Sequence, residues 1–409
     1  MKPRPDLVPQ SGGEAIKVYQ LTDEPVPACH IYMEAQIFFP DSRRFVLHRS
    51  AHPHGSDPDD PAHQYVLCDL ATGGELTPLT NEVGVTAPAV SPDGRFFYYF
   101  VDNTEPGAGT LTLKRRDMES DDREVIHVLD GPIGDTSYRI SQPYPLSTIS
   151  ADGNHIALSG FLGDGLSADA PWGLLVYDVR DPDPHLALSG NNWCNVHPQY
   201  CRSEDQAYRY DIMVQENHGC AYDERGRVLT LVSGDGADIH VIRDDGSNRR
   251  TLPWGRDGHE YCQGHQCWRG QSNIAITSTI TGNQPRAELI EGRPVAWDGH
   301  PGKAAGGWRN VLTRDMDAPD FHHFATDRAG TRLITDCGPN NRDGSVILFE
   351  LPTEPDGTLE RGQTVALPRS SWEKASHIHP FLSPDGQYGF FNSDEGGVLQ
   401  AYMVTGWDV

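Results

Sequence analysis

One phrase, repeated along the chain, constrains the fold more than any other feature. It is an extended run, a polar turn, then a second run rich in aromatic and β-branched residues. The clearest copy is His377-Ile378-His379-Pro380-Phe381-Leu382-Ser383-Pro384-Asp385-Gly386, continuing through Tyr388-Gly389-Phe390-Phe391. Its Ser-Pro-Asp-Gly reads as a tight turn: Pro presets φ, Asp bonds the nearby backbone and Gly takes φ > 0. The same turn follows Ala87-Pro88-Ala89-Val90 as Ser91-Pro92-Asp93-Gly94, and follows Leu146 to Ile149 as Ser150-Ala151-Asp152-Gly153. Looser copies begin at Gln36-Ile37-Phe38-Phe39, His197-Pro198-Gln199-Tyr200, Gly264-His265-Gln266-Cys267-Trp268 and His322-His323-Phe324-Ala325.

Seven copies at intervals of roughly 50 to 65 residues match a four-stranded blade plus loops. Long amphipathic helical patterns are missing. The expected fold is all-β: a seven-bladed β-propeller spanning 1–409 as one domain. The blade phrases lie near 31–70, 84–128, 141–188, 191–252, 262–315, 319–368 and 373–409. Val66 to Leu70, Leu174 to Asp178 and Val346 to Glu350 read as outer strands. A tandem β-sandwich would not explain one recurring phrase.

Composition fits many short strands, with 42 glycines and 31 prolines spread along 409 residues. The net charge of −25 argues against nucleic acid or an anionic membrane as partner. The eight cysteines form no zinc-type pair of CxxC motifs. The opening Met1-Lys2-Pro3-Arg4-Pro5-Asp6 has no apolar signal region, and no run reaches membrane-spanning length. A cytoplasmic protein with reduced thiols is the simplest expectation.

Chemistry gathers in the later phrases. The run before each turn is the candidate innermost strand, whose inward side chains line the central channel. In phrases four to seven these runs carry His197, Gln199, His265, Gln266, His322, His323, His377 and His379. His377 and His379, at i and i+2, share one side of an extended run. Neutral imidazoles converging from neighbouring blades suit a divalent metal. A single histidine before a turn is ordinarily a hydrogen-bonded structural residue; the repetition at matching places favours a site. Arg139, Arg269 and Lys374 lie near inner runs and offer positive charge to a carboxylate, or are simply solvated. Trp193, Trp268, Trp308 and Trp372 could stack on sugar faces or belong to the core. No G-x-S-x-G elbow, P-loop, HExxH or dinucleotide fingerprint is present.

The phrases resemble those of oligogalacturonate lyases, cytoplasmic seven-bladed propellers of pectin breakdown. The likeness covers most of the chain and is strongest in the last four blades. That family closes with H-x-H-P before an S/T-P-D-G turn, as at His377-Ile378-His379-Pro380. Its preceding blade has a His before Phe, matched best by His323-Phe324 and less well by His322. Its Gly-His-Glu-Phe-Trp phrase resembles Gly264 to Trp268, with Gly258-His259-Glu260-Tyr261 a nearby competitor.

The resemblance implies that His323, His377 and His379 hold a manganese-type ion and that His265 is the base. Catalytic support then falls to Lys374, Arg139 and Arg269, and substrate contact to His197, Gln199, His259, His322 and Trp268. Two departures stand out: Lys374 replaces a family metal-binding Gln, and no Arg near Asp238-Ile239-His240 matches the family's substrate-binding one. Lys374 could then supply positive charge directly. The implied reaction is β-elimination on an acidic, uronate-containing oligosaccharide. Competing classes are a noncatalytic TolB-like propeller that binds a protein, and a metal-dependent hydrolase or lactonase on the same scaffold.

Overall fold

A computed structural model describes residues 1–49, 60–167, 169–191, 194–217, 219–232, 237–254, 260–281, 287–296, 307–317, 319–337, 344–373 and 376–407. The chain forms a seven-bladed β-propeller of antiparallel four-stranded blades. Blade 1 is Ala28–His30, Arg44–Arg49, Gln64–Asp69 and Glu75–Pro78. Blade 2 is Val85–Val90, Phe96–Glu105, Ala108–Asp117 and Arg123–Leu129. Blade 3 is Gln142–Ile149, His155–Phe161, Trp172–Asp178 and Asp181–Gly190. Blade 4 is Gln199–Tyr200, Asp211–Asn217, Ala237–Arg243 and Arg250–Thr251. Blade 5 is Glu260–Trp268, Ala275–Thr281, Glu288–Gly292 and Arg309–Val311. Blade 6 is Phe321–Thr326, Arg332–Cys337, Val346–Glu350 and Gln363–Ala366.

Blade 7 takes Phe381–Leu382, Tyr388–Ser393 and Gln400–Thr405 from one stretch, and its fourth strand, Lys17–Gln20, from the far end of the sequence. Tyr19 pairs with Met403 and Val18 with Val404, closing the ring. The runs at Val66, Leu174 and Val346, read as third, outer strands, are the third strands of blades 1, 3 and 6. Glu75–Pro78, Asp181–Gly190 and Gln363–Ala366 pair beyond them.

The three Ser-x-Asp-Gly turns repeat one set of bonds. In the first, the Gly94 N–H donates to Ser91 O at 2.8 Å, Ser91 Oγ to Asp93 Oδ1 at 2.6 Å, and the Phe96 N–H to Ser91 Oγ at 2.9 Å. Ser150 to Gly153 and Ser383 to Gly386 do the same. The glycines sit at φ 72°, 73° and 68°, where a side chain is strained.

The core lies between blades. Phe45 and Val46 of blade 1 pack with Phe97 and Tyr99 of blade 2 and with Phe390 and Met403 of blade 7. Equivalent layers join blades 2 and 3, 3 and 4, 4 and 5, 5 and 6, and 6 and 7. Each fully buried Phe in such a layer contributes about 1.5–3 kcal/mol. None of the eight cysteines is in a disulfide. Among the described residues no helix is long and apolar enough to cross a membrane.

Candidate active site

The first strands of neighbouring blades meet around the axis, and irregularities in them aim side chains into it. In blade 6 the ladder shifts register between Phe321 and Phe324, so His322 and His323 occupy a bulge. In blade 5 the shift falls between Cys262 and Gln266, with Gly264 at φ 91° and His265 within it. Blades 2 and 3 shift at Thr86 to Ala89 and at Pro143 to Ser147. Bulges disrupt pairing and re-aim side chains. In blades 4 and 7 the device is different: His197 and His379, each before a proline, lie in the left-handed region at φ 43° and 46°. A non-glycine residue there is uncommon, and a following proline restricts it further.

His377 and His379 therefore reach the site from irregular chain ahead of Phe381–Leu382 rather than from a strand. They still join the other rings. His323 lies at the centre, its ring centroid 4.2 Å from His379, 4.4 Å from His322, 4.7 Å from His265 and 5.5 Å from His377. Two triplets, His265–His322–His323 and His323–His377–His379, have donor atoms all within 4.8 Å of one another. Trp372 flanks His322 and His377 at 5.7 and 5.6 Å.

The second triplet fits the ion that the resemblance implies. Its donors are imidazole nitrogens, suited to a borderline divalent metal. His323 donates from Nδ1 to Asp336 Oδ2 at 2.8 Å, which leaves Nε2 as the ligand atom. Asp336 also accepts the His323 backbone N–H at 2.8 Å, and the backbone N–H of His379 lowers its proton affinity. A buried carboxylate behind a ligating His fixes its tautomer and orientation. Burial, then the neighbouring imidazoles, pushes the His323 pKa well below the usual range; burial pushes Asp336 well above its own. His322 falls to about 4, through burial and then His377. Near neutral pH both rings are uncharged donors. Lys374, in place of the family's fourth ligand, lies outside the described residues, as does His259.

The cluster opens into a cavity of about 840 Å³ lined by His265, His322, His323 and His377 on one side. Tyr32, Tyr144, Asn195 and His197 line another part of it, Gln215 packs against Gly264 beside His265 and donates to Asn217, and Val228, Leu229, Leu231 and Val232 add apolar surface. Among the described lining residues Arg227 carries the one permanent positive charge; its side chain is 78% exposed and its Nε is 4.0 Å from Asp223. Tyr32 joins the two parts, 4.8 Å from His379 and 5.3 Å from His197. His197 donates from Nδ1 to Glu34 Oε2 at 2.7 Å, and its Nε2 is 3.3 Å from the Tyr144 hydroxyl.

Four expected site residues serve the scaffold instead. Trp268 is buried in the layer between blades 4 and 5 and donates Nε1–H to Gln199 O at 3.0 Å. Gln199 donates to Gln266 O at 2.9 Å and lines a separate narrow pocket with Glu34 and Arg202. Arg269 is held by Glu291 at 2.6 Å, Gly330 O at 3.0 Å and Pro352 O at 2.5 Å. Arg139, on the link between blades 2 and 3, donates to Asp130 O. None of the four lines the large cavity. Asp336, Glu34, Tyr32, Tyr144 and Arg227 escaped the reading of the sequence. Of these only Arg227 had a local signal, the loop Asp223-Glu224-Arg225-Gly226-Arg227 that interrupts blade 4.

No protein-family model and no curated protein matches the chain. Solved structures do. One described as an oligogalacturonate lyase in complex with manganese is 19% identical, covering 100% of this chain and 97% of that one, with a TM-score of 0.69. An oligogalacturonate lyase from Vibrio parahaemolyticus is 17% identical over 97% of this chain and 96% of its own, also at 0.69. The β-propeller domain of the trilobed protease from Pyrococcus furiosus reaches 0.51 at 11% identity, covering 93% and 96%. The distant likeness to oligogalacturonate lyases extends, in structure, along the whole chain. At these identities it establishes a shared fold.

Proposed function

We propose that the chain is a lyase that cleaves uronate-containing oligosaccharides by β-elimination. The supporting observation is the meeting of His265, His322, His323, His377 and His379, from three blades, at the end of one roomy cavity. The reaction needs three things: charge neutralisation at the carboxylate, a base for the proton α to it, and a proton for the departing glycosidic oxygen. Abstracting that proton piles charge onto an existing anion, so fixed positive charge aimed at the carboxylate lowers the barrier most.

His323, His377 and His379 are the ligands for a divalent ion, with manganese the first candidate. Such an ion, when bound, supplies positive charge at the substrate carboxylate. Arg227 reaches the same carboxylate from the rim, a role suited to a guanidinium. His265 takes the α-proton, and the rings of His322 and His323 beside it fix its position. Asn195, Gln215 and Asn217 face the sugar hydroxyls. The natural partner is an acidic oligosaccharide met in the cytoplasm; nucleic acid and membrane are not partners.

Incubation with pectic, glucuronan and rhamnose–glucuronate oligosaccharides, with and without Mn²⁺, should produce ultraviolet absorption from the new conjugated C=C bond. His265→Ala should reduce the rate on the order of 10²- to 10⁴-fold with the fold intact. A silent assay across all three substrates defeats the lyase reading. Metal-dependent turnover without an unsaturated product points to a hydrolase. The noncatalytic alternative expected histidines that share no pocket, and the described rings do share one.

A further inference from the structure

Tyr144 and His197 line the same cavity as the histidine cluster but come from other blades, and with Glu34 they form a second hydrogen-bonded group. Glu34, between Ala28–His30 and Arg44–Arg49 of blade 1, is 4% exposed and accepts the Nδ1–H of His197 at 2.7 Å. That bond fixes the tautomer and points Nε2 at the Tyr144 hydroxyl, 3.3 Å away. Tyr144 is also 3.2 Å from Asn195 Oδ1, and both line the cavity. The three main residues come from three different blades, and His197 is held at φ 43° to reach its place. A carboxylate, an imidazole and a hydroxyl in a row follow the logic of catalytic triads, in which the carboxylate orients the ring and stabilises its charged form. Burial, and then Glu34, raises the proton affinity of the Tyr144 phenol and keeps it protonated near neutral pH.

Resting on the lyase reading, we propose that Tyr144 is the catalytic acid that protonates the leaving glycosidic oxygen, with His197 and Glu34 as its positioning residues. As His265 removes the α-proton, that C–H electron pair becomes the new C=C bond and the C–O bond to the leaving sugar breaks. The Tyr144 O–H proton passes to the departing oxygen. The phenolate regains a proton from solvent by way of Nε2 of His197, whose ring Glu34 holds in place. Solvent removes the proton held by His265, so the cycle closes without oxidant or co-reactant. Tyr32, between His197 and His379, keeps the acid and the histidine cluster in fixed relation.

The test compares leaving groups. A uronate oligosaccharide has an alkoxide leaving group that needs a proton; a synthetic uronate with 4-nitrophenoxide at the same carbon does not. Tyr144→Phe should lower kcat on the oligosaccharide on the order of 10²- to 10⁴-fold, and on the nitrophenoxide substrate by less than about tenfold. Glu34→Gln and His197→Gln should show smaller losses with the same selectivity for leaving group, whereas His265→Ala should slow both substrates alike. Equal losses on the two substrates in Tyr144→Phe overturn the assignment while leaving the lyase reading standing. Failure of the unaltered protein to eliminate from either substrate overturns the lyase reading, and the assignment with it.

Discussion

Arg269 shows how fully a single charged side chain can be absorbed by the scaffold. It follows an inner strand, where sequence alone offers it to a substrate carboxylate. In the fold its guanidinium bridges blades 5 and 6, tied to Glu291 and to two backbone carbonyls. Glu291 is 0% exposed, so Arg269→Ala would strand a buried carboxylate. Stability should fall by about 3–5 kcal/mol, read from the denaturant midpoint, while KM of the folded fraction stays unchanged. The histidines were legible at this scale because a scarce side chain recurring at matching positions is informative. Their carboxylate partners were not. Asp336 sits within Arg332–Cys337 and Glu34 ahead of the first turn, and neither position differs in local sequence from an ordinary polar one.

At the scale of the element, turns and bulges differ in how they are encoded. A turn is written in adjacent residues, and Ser383 to Gly386 makes the bonds its sequence implies. Gly386 is required twice over: it lies at φ 68°, and a Cβ there would sit 3.2 Å from Asp327 Oδ2. Gly386→Ala should cost about 1–3 kcal/mol, visible as a lower thermal midpoint. A bulge depends on how two strands are matched across a ladder, so the pairing partner must be known before the inserted residue can be. For that reason the sequence placed His322 and His323 on an inner strand without showing that both turn inward. It also put His377 and His379 on a strand that begins only at Phe381. The left-handed His197 and His379 violate the local rule for a residue before proline, and such violations concentrate where function demands them.

At the scale of the whole molecule the blades stand or fall at the seam between the first and the last. His30 of blade 1 donates its backbone N–H to Asn392 Oδ1 at 2.8 Å and Nε2–H to Tyr402 O at 2.9 Å. It is enclosed by Phe45, Phe381 and Phe390. Burial, partly offset by the Tyr402 carbonyl, pushes its pKa down to about 3. Below about pH 6.5 the unfolded chain binds a proton that the native ring excludes. His30 therefore costs no stability above that pH, and its penalty grows as the pH falls toward 3, reaching at most about 5 kcal/mol. Chemical denaturation at pH 7, 6, 5 and 4 should show stability declining across that window. A flat profile would mean that the seam does not contribute. The number of blades was legible from the repeated phrase. The closure was not, because Lys17-Val18-Tyr19-Gln20 is four residues long and its partner lies nearly 400 positions away.

That pairing also sets an order of events in the cell. The segment at 17–20 is synthesised nearly 400 residues before its hydrogen-bonding partner at 400–405. During that interval an early strand waits with an unpaired edge, exposed to whatever else can add to it. Six blades can be assembled while the circle stays open, and the histidine cavity, drawn from both sides of the gap, is completed last.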